Sequence, residues 1–106
     1  MSGKVLTIDD SQSVRQMISM TLGNSGFTVD EACDGAEGYD KATTGSYNAI
    51  LTDLNMPNMN GLDFIKKFRE HPSSRGVPII FLSKLSDILP SCKCIGLDKA
   101  AICINI

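Results

Sequence analysis

The sequence predicts a small α/β domain on a doubly wound parallel sheet. Short apolar runs recur at residues 4–8, 27–32, 49–52 and 77–82. The segments between them carry apolar residues at helical spacing. Several runs are apolar at consecutive positions, as in strands covered on both faces rather than strands with one wet face.

The first run, Lys4 to Ile8, ends in Asp9-Asp10 and reads as a short buried strand. Val14, Met17, Ile18, Thr21 and Leu22 then mark one helix face, with Ser11 or Ser13 to cap its start and Gly23 and Gly26 to stop it. Residues 27–32 form a second, more polar strand suited to an edge, and Asp34-Gly35 a turn. Ala36 to Thr43 reads as a helix that Gly38 weakens by about 1 kcal/mol relative to alanine. Ala49 to Thr52 is the third strand and ends in Asp53. A loop dense in turn residues, Asn55 to Gly61, precedes a helix with Leu62, Ile65 and Phe68 on its face and Phe64 beside them. Pro72 and Gly76 close it, and Val77 to Leu82 is the fourth strand. Right-handed crossovers would distribute the helices over both faces of the sheet.

Beyond Ser83 the periodicity fades. Pro90 interrupts a possible short helix at 84–89, and residues 91–99 lack a helical period. Residues 100–106 are apolar and partly β-branched, and read as a fifth strand. An irregular link fills the gap, with an extra strand at Cys92 to Ile95 as the alternative.

The chain has 106 residues, enough for one domain with its own core. Its net charge is −2, and no basic cluster exceeds Lys66-Lys67-Phe68-Arg69, which argues against binding nucleic acid or anionic lipid. Mean hydropathy is near zero, and no run of about 18 apolar residues would span a membrane. The N-terminal residues do not form a secretory signal, so a cytoplasmic location is expected, with Cys33, Cys92, Cys94 and Cys103 reduced. Cys92-x-Cys94 is not a redox pair, and the single histidine, His71, is remote from it in sequence, so a zinc site is disfavoured.

In a doubly wound sheet, ligands bind at the carboxyl ends of the strands. Strand one ends there in Asp9-Asp10, strand three in Asp53 and strand four in Ser83. A lone aspartate at a strand end commonly caps the next helix. Three carboxylates on one rim repel one another unless a cation joins them. Oxygen-only ligands suit Mg²⁺, which leaves room for a phosphoryl group. A carboxylate in such a site can act as a nucleophile toward phosphorus, and Ser83 can hydrogen-bond a phosphoryl oxygen.

Ile8-Asp9-Asp10-Ser11, the run Leu51-Thr52-Asp53-Leu54-Asn55-Met56-Pro57-Asn58-Met59-Asn60-Gly61, and Pro78 to Ser83 resemble the receiver domain of bacterial two-component response regulators, especially its single-domain, CheY-like chemotaxis members. Glu31 to Ala36 fits the family's second strand and turn. The resemblance covers residues 4–83 of a single domain, 1–106, and leaves 84–106 as a divergent tail. It implies a flavodoxin-like fold of five parallel strands in the order 2-1-3-4-5. It also implies that Asp53 accepts a phosphoryl group from a histidine kinase. Asp10, Asp53 and the Asn55 carbonyl would ligate Mg²⁺, Asp9 would act mainly through water, and Ser83 would hold a phosphoryl oxygen. A downstream target would read the resulting change of surface. An aspartyl-phosphatase reading fits poorly, because that pattern places Asp-x-Asp after the first strand.

The departures from the family follow Ser83. Registration puts Asn105 where the family has a lysine and Ile102 where it has an aromatic residue. Asparagine brings no positive charge, though Lys84 or Lys99 can substitute in space. The fourth helix is disrupted and the final helix missing, as in a frameshifted, truncated or engineered tail. One sheet face would then lie open to self-association, as a homodimer. The alternative function is a signalling-defective variant acting as an interaction module.

Overall fold

The four apolar runs through Leu82 each form a strand of one sheet. The computed structural model describes residues 3–53, 58–84, 93–97 and 100–105, with backbone course alone from Leu82 onward. β1 (Lys4–Ile8), β2 (Thr28–Ala32), β3 (Ala49–Thr52) and β4 (Ile79–Lys84) run parallel in the order β2-β1-β3-β4. Val5 pairs with Val29 on one side and Ala49 on the other, and Thr52 of β3 pairs with Phe81 of β4. α1 (Gln12–Asn24), α2 (Gly35–Thr44) and α3 (Gly61–Arg69) connect the strands, and a 3-10 turn at Pro72–Ser74 leads into β4.

Each helix starts on a short polar side chain. Ser11 Oγ accepts from Val14 N–H at 3.4 Å, Asp34 Oδ1 from Glu37 N–H at 2.8 Å, and Asn60 Oδ1 from Asp63 N–H at 2.8 Å. These caps satisfy amides that the helix itself leaves unpaired. After α1 the chain turns at Gly26, whose φ of +94° suits glycine.

The two faces of the sheet are packed unequally. Leu6, Ile8, Ile50, Ile79 and Phe81 form the main core with Ala42 of α2 and with Phe64, Ile65 and Phe68 of α3. The Phe64 and Phe68 rings stack at 5.5 Å, so Phe64 belongs to the buried face of α3. Gly38 explains why a weak helix former stands inside α2: a side chain there would run into the Ile8 side chain, so glycine lets the helix lie close on β1. On the opposite face no residue of α1 is fully buried. Of its predicted stripe, Val14, Ile18 and Leu22 are half-buried, whereas Met17 and Thr21 are exposed. An apolar groove of about 310 Å³ runs between α1 and β3, lined by Met17, Ile18, Thr21, Leu22 and Leu51.

The tail corrects the predicted five-stranded parallel sheet. β5 (Lys93–Leu97) and β6 (Ala100–Asn105) extend the sheet to β2-β1-β3-β4-β6-β5. A strand does form at 100–105 beside β4, but it is antiparallel, with Ile79 opposite Asn105 and Lys84 opposite Ala100. A parallel partner needs a crossover of roughly a dozen residues or more, usually a helix, to return to the far edge. Here β5, overlapping the extra strand considered at 92–95, occupies part of that length. β6 therefore descends where an ascending strand was expected. The disruption predicted at Pro90 lies outside the described residues. Among the described residues no helix follows β4, and none is long and apolar enough to cross a membrane.

Two predictions test this packing. Gly38→Ala should lower stability by about 1 kcal/mol, because overpacking against Ile8 outweighs the gain in helix propensity. Urea unfolding measures it, and a more stable variant would contradict the close approach. Glu37 Oε1 accepts from Cys33 N–H at 2.9 Å, and Glu37 pairs with Lys41 at 3.2 Å. The Cys33 hydrogen bonds, with Lys41 behind them, hold the Glu37 carboxyl at about 2, below its usual 4.5. Its contribution is therefore complete above pH 4.5 and is lost as pH falls toward 2. Glu37→Gln should flatten the pH dependence of the urea midpoint across that window. An unchanged slope would remove Glu37 as its source.

Candidate functional site

Backbone pairing carries the site residues one step past the strands. Asp9 N–H donates to Ala32 O and Asp53 N–H to Ile8 O, each at 3.0 Å. Both aspartates are thereby fixed at the carboxyl rim of adjacent strands. One carboxylate oxygen from each of Asp9, Asp10 and Asp53 lies within 4.8 Å of the other two. Asp9 and Asp53 are half-buried and Asp10 is exposed.

Asp9 is held through both its side chain and its backbone. Its Oδ1 accepts from Ser11 N–H at 2.8 Å, and its backbone carbonyl accepts from Arg15 Nη1 at 2.5 Å. Burial pushes the Asp9 carboxyl above the ordinary aspartate range, the Ser11 amide pulls it back, and the neighbouring Asp10 charge raises it again. Burial plus a like charge is a costly setting for a carboxylate, and a hard divalent cation relieves both. The donor set of three carboxylates fits Mg²⁺.

Three of the six predicted site residues converge here: Asp9, Asp10 and Asp53. Ser83 is near the carboxyl end of β4, two residues beyond Phe81, the partner of Thr52. Asn55 lies outside the described residues. Asn105 is corrected: it stands opposite Ile79, at the start of β4 and on the rim away from the acids. The antiparallel direction of β6 carries its last residues there. Ile102, predicted at the aromatic position, lies opposite Leu82 by the same reversed register.

Some supporting contacts were not read from the sequence. Asn58 Nδ2 donates to Asp34 Oδ2 at 2.8 Å, and Gly35 N–H donates to Met59 O at 3.1 Å. They tie the end of the loop after Asp53 to the β2–α2 turn. Asn58 has φ +67°, a left-handed conformation that asparagine tolerates better than most residues. The density of turn residues in 55–61 was the available signal. Arg15 was missed because a polar residue between helix-face positions reads as solvent-facing.

The family model described as "Response regulator receiver domain" matches residues 5–99, running past Ser83 into the tail. Response regulator ArlR of Staphylococcus saprophyticus is 35% identical over 98 residues, covering 92% of this chain and 42% of that protein. The chain thus spans less than half of that relative. Chemotaxis protein CheY4 of Vibrio cholerae has a similar structure, with a TM-score of 0.77 and 39% identity over 85% of this chain and 73% of that one. Response regulator TrrA of Thermotoga maritima, solved in complex with Mg²⁺-BeF, matches at a TM-score of 0.67 and 26% identity over 73% of this chain and 65% of that one.

The carboxylate cluster should oppose folding in metal-free solution. Asp10→Asn, which removes its exposed member, should stabilise the chelated protein by about 0.5 kcal/mol, or roughly 2–4 °C in Tm. A thermal melt in chelator measures this, and a lower Tm would show that the carboxylates do not repel appreciably in this geometry.

Proposed function

The chain belongs to the family of response regulator receiver domains, and from that membership we propose that Asp53 is its phosphoacceptor. Receiver domains take phosphoryl groups from histidine kinases and bind Mg²⁺ at an acidic pocket. The observation that carries the reading here is the convergence of Asp9, Asp10 and Asp53 within 4.8 Å on the carboxyl rim of the sheet.

In this reading an Asp53 oxygen attacks the phosphorus of a kinase phosphohistidine. The new O–P bond forms as the N–P bond breaks, and the imidazole nitrogen leaves and takes up a proton. Asp10, Asp53 and the backbone carbonyl of Asn55 would hold Mg²⁺, with Asp9 acting mainly through water. The bound ion supplies positive charge for both the carboxylates and the incoming phosphoryl oxygens. Ser83 donates its hydroxyl to a phosphoryl oxygen. Asn105 has no role in this assignment, and the tail leaves the lysine's function to other groups. A cytoplasmic setting, where a thiol such as Cys33 stays reduced, goes with a kinase partner. An output target would read the phosphorylated surface.

Intact-mass spectrometry after incubation with acetyl phosphate and Mg²⁺ tests the proposal. The wild-type chain should gain one phosphate, while Asp53→Asn or addition of chelator should abolish the gain. A wild-type chain that stays unmodified, or a modified Asp53→Asn, would overturn the assignment.

A further inference from the structure

Arg15 occupies a position that the phosphoacceptor reading leaves unexplained. It lies on α1, four residues beyond the Ser11 cap, with its side chain only 15% exposed. Its guanidinium makes two contacts at once: Nη1 donates to the Asp9 carbonyl at 2.5 Å, and Nε donates to Glu31 Oε1 at 3.2 Å. Glu31 is on β2, paired with Thr7 of β1, and its own carbonyl accepts from Lys41 Nζ. The guanidinium therefore links α1, the end of β1 and β2 through one planar group.

The consequence falls on Asp9. Its N–H is bonded to Ala32 O, its Oδ1 to the Ser11 amide and its carbonyl to Arg15. Three of its polar groups are fixed, one by β2 and two by α1 and its cap. The Arg15 charge, meanwhile, is paired with Glu31 and is not a substitute for a metal ion among the carboxylates. What Arg15 contributes is geometry: a rigid fork whose separate donors meet two acceptors in fixed directions. A lysine keeps the charge but cannot reproduce that fork.

We infer that Arg15 is a positioning residue for the acidic site, holding the β1–α1 turn so that Asp9 and Asp10 meet a divalent cation in register with Asp53. The inference rests on the phosphoacceptor reading and deepens it. Groups that orient metal ligands from behind commonly govern affinity as strongly as some ligands do.

The test uses the full chain with Mg²⁺ as the probe. Calorimetry gives the Mg²⁺ dissociation constant, and backbone amide NMR of Asp9 and Asp10 follows the turn. Arg15→Lys and Arg15→Gln should both weaken Mg²⁺ binding, by roughly tenfold. Glu31→Gln, which keeps an acceptor for Nε, should change it only about twofold. In the Arg15 variants the rate of phosphate gain from acetyl phosphate should drop at limiting Mg²⁺ and recover toward wild type at saturation. A purely structural loss would not produce that recovery. Folded Arg15 variants that bind Mg²⁺ as wild type does would overturn the proposal. So would failure of both to fold, which would make Arg15 a residue of the fold alone. If the wild-type chain gains phosphate normally in either case, the phosphoacceptor reading survives. If the wild type neither binds Mg²⁺ nor gains phosphate, that reading falls, and this inference with it.

Discussion

Like charges held close together set the terms for the rest of the structure. Two carboxylates with oxygens within 4.8 Å of each other repel by about 1 kcal/mol in water and by several times that near a protein surface. The half-buried pair, Asp9 and Asp53, feels the larger value. Local sequence cannot hold such groups together, because each would swing toward solvent. The backbone ladder holds them instead, through the bonds from Asp9 to Ala32 and from Asp53 to Ile8. Those bonds depend on strand register, and register depends on the core. Slipping a strand by one residue would exchange its buried and outward faces. Leu6, Ile8 and Ile50 are fully buried, so a slip in β1 or β3 would cost the core heavily. Hydrophobic packing below the rim thus fixes where the charges stand above it.

That packing is uneven, and the unevenness bears on the site. The α2 and α3 side is dense, with stacked phenyl rings and a glycine that lets α2 approach Ile8. The α1 side is thin: Met17 and Met20 are 60% and 68% exposed, and an apolar groove separates α1 from Leu51. Yet α1 supplies both Ser11 and Arg15 to Asp9. The wall of the site nearest Asp9 is therefore fastened by polar contacts more than by burial. Specific hydrogen bonds hold direction well but supply modest net stability. Their number around Asp9 compensates for the apolar contact that α1 lacks.

The acidic site was legible because its determinants are local. The pair Asp9-Asp10 and the single Asp53 each follow an apolar run directly, and parallel strands place such positions on one rim. Helix starts were legible for the same reason, since Ser11, Asp34 and Asn60 carry their capping chemistry in their own side chains. Strand direction is different. An apolar run such as 100–106 reads the same whether the strand ascends or descends, and the decision belongs to the connection before it. Residues 91–99 carry no clear period, so the strand at 93–97 was legible only as the alternative at 92–95, and the resulting antiparallel placement of Asn105 could not be read from either segment alone. Arg15 was hidden for a third reason: helical periodicity sorts residues into apolar and polar faces. A long side chain on the flank of the apolar face can still turn inward when a carbonyl and a carboxylate await it.

The reversed strand also redistributes charge. A parallel fifth strand would deliver its last residues to the acidic rim. β6 delivers its first instead, Ala100 opposite Lys84, and carries Asn105 to the other end of the sheet. Replacing the family's lysine by asparagine in this sequence is thus more than a change of side chain at a fixed place, because the place itself has moved. A basic residue written at position 105 would face the wrong rim to meet a phosphoryl group. Among the described residues beyond Phe81, the carboxyl end of β4 and the start of β6 lie toward the acidic rim. Among the described contacts, Asp9 is held by β2 and by Ser11 and Arg15 at the start of α1, and Asp53 by its backbone bond to β1. The described bonds that seat the acidic cluster thus come from β1, β2 and the start of α1, whereas the place of residue 105 depends on how the sheet ends.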